Sequence, residues 1–179
     1  MILGVFVEKL GWKYCLNDVL QDVGTKLLVS YCLGMLSGDH HCIDADRLEE
    51  WPGLFLEDGR YRITTAENFE RGLPLGMIYA TSRAMLRDRV RSLREANVYE
   101  AQRYRHVIGP ALLTAGEGGA VKAQTSFMVA RIMHSGETML FATGCYHDHI
   151  VFDAGDARFA EKIVILDSRL IDTLLAIPL

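Results

Sequence analysis

The sequence contains no CxxC and no CxxH. Its four cysteines, Cys15, Cys32, Cys42 and Cys145, stand far apart, and Asp18, Met35 and Ala45 lie three residues after the first three. That scatter excludes a local zinc or disulfide framework and reads as reduced thiols in a cytoplasmic protein. Positive charge is short as well. A net charge of −4 gives no general attraction to nucleic acid or to an anionic membrane. Long apolar runs are missing: Glu8 and Lys9 interrupt the opening "MILGVFVEKL" well short of a spanning length, and no basic leader precedes it, so neither anchor nor export signal is expected. There is no GxSxG nucleophile elbow. "GEGGA" (116–120) precedes an extended run instead of opening a helix, so it reads as a turn and not as a phosphate cradle.

What is present is the make-up of a globular domain: 179 residues, 50% apolar and 23% charged, enough to bury a core without staples. Residues 1–17 read as an extension and 18–179 as a single domain. Val19, Leu20, Val23, Leu27, Leu28, Tyr31 and Met35 recur at three- and four-residue steps, which predicts one helix from Asp18 to Leu36 stopped by Ser37 and Gly38. "GDHHCIDA" (38–45) then reads as a polar surface loop. Asp46 is placed to cap a second, short helix broken at Pro52, and "EDGRYRITT" reads as a turn running into a strand. Thr81 or Ser82 can cap a helix with Met85, Leu86, Val90 and Leu93 on one side and Arg87, Arg91 and Arg94 on the other. Arg83–Val107 is the one basic stretch, but Asp88, Glu95 and Glu100 interleave it, so it reads as a solvated face or a protein interface.

Beyond Asn97, "YRHVIGPALLTA", "VKAQTSFMVARIM", "TMLFATGCYHDHIVFD" and "ARFAEKIVILD" read as four long strands joined by glycine-rich turns. Helices followed by an antiparallel sheet predict an α+β fold, with the helices on one face of the sheet.

"GCYHDHIVFD" (144–153) is the stretch that invites metal chemistry. On a strand, side chains two apart share a face about 6.5–7 Å apart, so Cys145, His147 and His149 point one way and Tyr146, Asp148 and Ile150 the other. A single strand supplies at most two converging ligands where a metal needs three or four. Cys145 and His147 make the CxH half of a Rieske signature, but the CxxH half is missing, so this chain cannot hold such a cluster alone. Asp148 or a distant acid completing a two-His, one-carboxylate iron site is a minor alternative. His40, His41 and Cys42 are read as loop polarity, and Asp153, Asp156, Glu161 and Asp167 as solvated strand-end acids that could serve a proton-transfer enzyme.

Two tracts resemble a known family: "LEEWPGLFLEDGRYRITTAENFERGLPLGMIYATSRAMLRDRVRSLREANVYEAQRYRHVIG" and the ending "RFAEKIVILDSRLIDTLLAIPL". They are similar to the small (β) subunits of Rieske-type aromatic-ring-hydroxylating dioxygenases, and the likeness runs from about Gln21 to Leu179. "REANVY" and "FMVARIMHSGET" resemble the branch acting on aromatic carboxylates such as terephthalate, salicylate, anthranilate and halobenzoates. The resemblance implies a cone-shaped fold like that of nuclear transport factor, with N-terminal helices packed on a strongly curved, mostly antiparallel sheet. It also implies a cytoplasmic α3β3 hetero-hexamer with a trimer of small subunits, served by a reductase or ferredoxin. The large subunit then carries the Rieske [2Fe–2S] cluster, the mononuclear iron and the substrate pocket, and this chain has no catalytic, cofactor or metal residue. Subunit-contact candidates are Arg103, Tyr104, Arg105, His106, His147 and His149, because arginine and aromatic side chains are favoured at interface centres. The alternative is a stand-alone cone-fold isomerase or dehydratase using a carboxylate base.

Overall fold

The apolar stripe of the first helix does not end at Ser37. It continues as Cys32, Met35, Leu36, Asp39, His40 and Ile43, all buried and all at three- or one-residue steps, so helix α1 runs Val23–Asp44. The expected loop at 38–45 is therefore helix as far as Asp44, and two of its polar residues, Asp39 and His40, face the core. Packing of this stripe outweighs the helix-breaking tendency of Gly38, since most helical stability in a protein comes from the buried face. Asp46 ends α1 instead of starting a new helix. It adopts a left-handed conformation (φ 57°), and the Arg47 N–H returns to the Cys42 carbonyl at 2.7 Å, a helix-terminating geometry. The expected second helix shrinks to one 3-10 turn, Trp51–Leu54, with Pro52 near its start.

This computed structural model describes residues 6–9, 12–15, 23–74, 76–96, 100–153, 156–170 and 175–179, with side chains from 29 onward except those of residues 31 and 153. The Val19 and Leu20 part of the first expected helix lies outside the described residues. Strands β1 (Phe6–Lys9) and β2 (Trp12–Cys15) come first in the chain. After α1 come β3 (Phe55–Thr65), α2 (Ala66–Glu70), β4 (Ile78–Ala80), α3 (Arg83–Glu95) and β5 (Gln102–Ile108). Then follow β6 (Leu112–Ala115), β7 (Val121–Met133), β8 (Thr138–Asp153) and β9 (Asp156–Leu166).

These strands form one sheet in the order β2-β1-β6-β7-β8-β9-β3-β4, with β5 also paired to β7. All pairings are antiparallel except β1 with β6 and β3 with β9. The expected strand "YRHVIGPALLTA" is two strands, because Gly109 and Pro110 separate segments that pair with different halves of β7. The first seventeen residues, set apart as an extension, supply the β1–β2 hairpin that continues this sheet. In α3, Ser82 caps the helix by accepting from the Met85 N–H, and Leu86, Val90 and Leu93 are buried. Met85 is not; it is 44% exposed.

Helix α1 and the 3-10 turn cover the inner face of the sheet, where Trp51, Phe55, Tyr61 and Phe159 meet edge to face or tilted. The chain end is tied into this core: Tyr61 Oη donates to the Leu179 carbonyl (3.0 Å) and accepts from the Leu179 N–H (3.1 Å). The architecture is the expected α+β arrangement of helices on a curved, mostly antiparallel sheet. Gly144 marks its tightest crossing, since a Cβ there would sit 2.0 Å from the Ile165 carbonyl oxygen and 3.0 Å from the Phe127 ring. Gly144→Ala must push β9 away, and a loss of about 1–3 kcal/mol is expected in equilibrium urea unfolding.

Candidate functional site

Strand β8 alternates as its sequence predicts. Tyr146, Asp148 and Ile150 are buried, while Cys145, His147 and His149 lie half-buried on the outer face. Asp148 thus points away from the two histidines, and the three cannot converge on one iron. Among the described residues no group of three or more His, Cys, Asp or Glu could hold a metal ion.

Asp148 instead enters an internal charge cluster. Its register partner on β9 is Lys162, and the Lys162 ammonium lies 3.4 Å from Asp148 Oδ1 and 2.9 Å from Asp39 Oδ2, all three side chains being wholly buried. Asp39 also accepts from the Trp51 indole N–H at 2.8 Å. The ammonium lies 3.9 Å from the centre of the Tyr146 ring, a cation–π contact. The two carboxylates titrate in opposite directions. Burial raises both, but the nearer ammonium and the indole N–H pull Asp39 below its ordinary value. For Asp148 burial wins over the more distant ammonium, and Asp39 adds repulsion, so its carboxyl is pushed up to about 7. Burial opposes the charge on Lys162, yet the two carboxylates together raise it above the ordinary lysine value.

A second polar pair lies where α1 meets β5. Asp44, the last residue of α1, accepts from the His106 N–H (3.0 Å) and pairs with His106 Nδ1 at 2.7 Å. This clips the helix end to a strand edge whose N–H would otherwise lack a partner. His40, one turn earlier on α1, stacks between His106 (5.2 Å) and Tyr146 (4.9 Å). Burial lowers the His40 pKa to about 3, so its ring is neutral. A cavity of about 310 Å³ opens beside this pair, lined by Leu33, Leu36, His40, Asp44, His106, Ile108, Ala111 and Thr125 among others.

The six candidate contact residues divide between the two faces. Tyr104 and His106 point inward and are buried, because β5 alternates and these two occupy its inner phase. Arg103 and Arg105 are exposed on the outer phase, beside Val107. His147 and His149 flank an open outer groove of about 410 Å³ with Lys122, Gln124, Glu161 and Ile163. The acids considered for proton transfer are elsewhere: Asp156 and Asp167 are exposed, Glu161 is half-buried, and none of these lines the cavity beside Asp44 and His106; the side chain of Asp153 lies outside the described ones.

The functional groups that sequence reasoning missed are Asp39, His40, Asp44 and Lys162. A signal was available for all but Asp44. Asp39 and His40 continue the helical stripe, and Lys162 shares the inward phase of β9 with Val164.

Comparison with known proteins places this architecture. The family described as ring hydroxylating beta subunit matches residues 39–173. The chain is 45% identical over 137 residues to subunit beta 1 of the terminal oxygenase component of terephthalate 1,2-dioxygenase from Comamonas sp, covering 76% of this chain and 89% of that one. It is 39% identical over 137 residues to the anthranilate 1,2-dioxygenase small subunit of Burkholderia cepacia, covering 76% and 85%. A crystal structure assigned as the beta subunit of an aromatic-ring-hydroxylating dioxygenase from Novosphingobium aromaticivorans superposes with a TM-score of 0.79 at 36% identity, over 87% of this chain and 99% of that one. With its helix-covered sheet and the matched tract from Asp39 into the segment after β9, the chain belongs to the family of ring-hydroxylating dioxygenase beta subunits.

Proposed function

We propose that this chain is the structural small subunit of a Rieske non-haem iron oxygenase that hydroxylates an aromatic carboxylate. The observation that supports this reading best, beside family membership, is the outer face of the sheet. α1 covers the inner face, while Val107 (61% exposed) and Leu140 (60%) stand in the open with Met128, the cross-strand partner of Val107. Apolar side chains grouped on an otherwise polar sheet face mark a partner surface. Arg103 and Arg105 flank Val107 on β5, and His147 and His149 lie farther along β8 on the same outer face, polar groups of the kind that rim such a surface.

In this reading the face packs on a large α subunit and on sister β subunits in an α3β3 assembly, within the cytoplasm. Among the described residues no helix is long and apolar enough to cross a membrane. The Rieske [2Fe–2S] cluster, the mononuclear iron and the substrate pocket belong to the large subunit, and electrons reach it through a reductase or ferredoxin. The relatives' names, terephthalate and anthranilate dioxygenase, support an aromatic carboxylate as the substrate of the complex.

Co-expression with the large subunit tests it. The expected result is a stable complex by native mass spectrometry, with the small subunit iron-free and inactive alone. Val107→Asp combined with Leu140→Asp should weaken assembly by about tenfold or more without lowering the melting temperature of the free chain. Intrinsic turnover or bound iron in the isolated chain would overturn the proposal, as would a complex indifferent to both substitutions.

A further inference from the structure

The cavity between the C-terminal half of α1 and strands β5 and β7 has the make-up of a ligand site, and it opens to solvent beside the exposed His41, apart from the outer groove lined by His147 and His149. Three features define it. Its walls are apolar, formed by Leu33, Leu36, Ile108 and Ala111. At about 310 Å³ it is the size of a small-molecule pocket that holds one ring. The polar groups lining it are buried and incompletely partnered: His106 Nε2, both ring nitrogens of His40 and Thr125 Oγ1 have no hydrogen-bond partner among the described residues. The His40 ring lies near Asp39, with Nδ1 3.7 Å from Oδ2, too far for a hydrogen bond. Buried polar atoms normally have partners, so several orphans on one cavity point to something that supplies them.

The chemistry of the missing partner follows from the chemistry of the orphans. His106 commits Nδ1 to the Asp44 carboxylate. With the proton on Nδ1, the neutral ring offers Nε2 as an acceptor. Neutral His40 offers one N–H and one lone pair, and Thr125 a hydroxyl. The smallest group that donates to one of these and accepts from another is an O–H. Negative charge on the ligand is disfavoured: the Asp44 carboxylate lines the cavity together with His41, the Arg105 guanidinium lies 3.7 Å from Asp44 and is turned to that acid, and buried Lys162 is engaged by Asp39 and Asp148. An anion would therefore lose hydration while facing a carboxylate.

We propose that this cavity binds a small, uncharged ring bearing a hydroxyl group, with the Asp44-held His106 as acceptor and His40 and Thr125 completing the contacts. The site rests on its own geometry and does not depend on the assembly reading, so the two stand or fall by different experiments.

The test is a titration of the ¹⁵N-histidine-labelled full chain with phenol, toluene and benzoate, which share a ring and differ in the group it carries. Phenol is expected to shift the side-chain resonances of His106 and His40 saturably. Toluene and benzoate should bind about tenfold more weakly or not at all, the loss expected for one unmade hydrogen bond or one unpaired charge. His106→Asn retains an amide toward Asp44 while removing Nε2, and should weaken phenol by about tenfold. If that variant fails to fold, Thr125→Val replaces it with the same expectation. Leu33→Trp, on the partly buried wall, should abolish binding by filling the cavity. Toluene or benzoate binding as tightly as phenol would overturn the proposal, as would phenol affinity unchanged by Leu33→Trp, or no histidine shift at all.

Discussion

Lys162→Met lowers the free energy of unfolding by about 3–5 kcal/mol, the usual cost of removing one partner from a buried ion pair. The ammonium serves two wholly buried carboxylates, Asp39 at 2.9 Å and Asp148 at 3.4 Å. Methionine fills the space but leaves both acids facing one another in a core of Trp51, Tyr146 and Phe159. Among the described residues neither acid has a second cation at hand: Asp39 keeps the Trp51 N–H, and Asp148 Oδ2 lacks a hydrogen-bond partner. The variant can relieve the strain only by protonating a carboxyl, so its loss is larger at pH 8 than at pH 5. Adding Asp39→Asn and Asp148→Asn to Lys162→Met should recover most of the stability, because an uncharged core cluster no longer has to bury unpaired charge. Urea unfolding at the two pH values measures both effects. A loss under about 1 kcal/mol, or one independent of pH, would show that water reaches the cluster and that its burial does not set its energetics.

The same cluster shows why some of the fold was legible in sequence and some was not. The strands beyond Asn97 could be read because strict alternation has one structural meaning on a half-covered sheet. Tyr146, Asp148 and Ile150 fell on the inner side of β8 as their spacing requires. "GDHHC" reads as a loop on composition, because Gly and Asp favour turns, yet Asp39, His40 and Ile43 keep the helical step of Cys32, Met35 and Leu36. Polar residues on a buried stripe signal an internal network, and that signal becomes visible only if periodicity is allowed to overrule composition. Lys162 is the same case on a strand. An acid and a lysine in the inward phase of neighbouring strands are each improbable in a core alone, and plausible as a pair once the register joins them. Other features had no local signature. That Asp44 meets His106, 62 positions later, depends on where α1 ends against β5. Nor does local spacing distinguish buried Tyr104 and His106 from exposed Arg103 and Arg105 as partner contacts until the covered face of the sheet is known.

Between pH 4 and pH 6.5 the wild-type chain is expected to show nearly constant stability, because two buried groups titrate in opposing senses. His40 has its pKa lowered by burial from 6.5 to about 3. The unfolded chain therefore takes up a proton that the native state refuses, and stability falls as pH drops through that window. At the extreme the displacement is worth about 5 kcal/mol. Asp148 works the other way. Burial raises it from 3.8 to about 7, so the native state binds its proton first and stability rises as pH falls from 7 toward 4, by about 4 kcal/mol. The other two charges act outside this window. Asp39, lowered in the fold, contributes stability that is present above 3.8 and lost as pH falls through its lower native value. Lys162, raised in the fold, contributes stability that is full below 10.5 and lost as pH rises through its higher native value. Removing either partner of the balance should expose the other. His40→Asn should lose about 3 kcal/mol between pH 4.5 and pH 7 as Asp148 ionises. Asp148→Asn should lose a similar amount on going from pH 6.5 down to pH 4.5, as the unfolded chain protonates His40. Urea midpoints taken at half-unit pH steps give both slopes. Curves for the two variants that run parallel to the wild type would mean that neither group is held in the ionisation state its burial imposes.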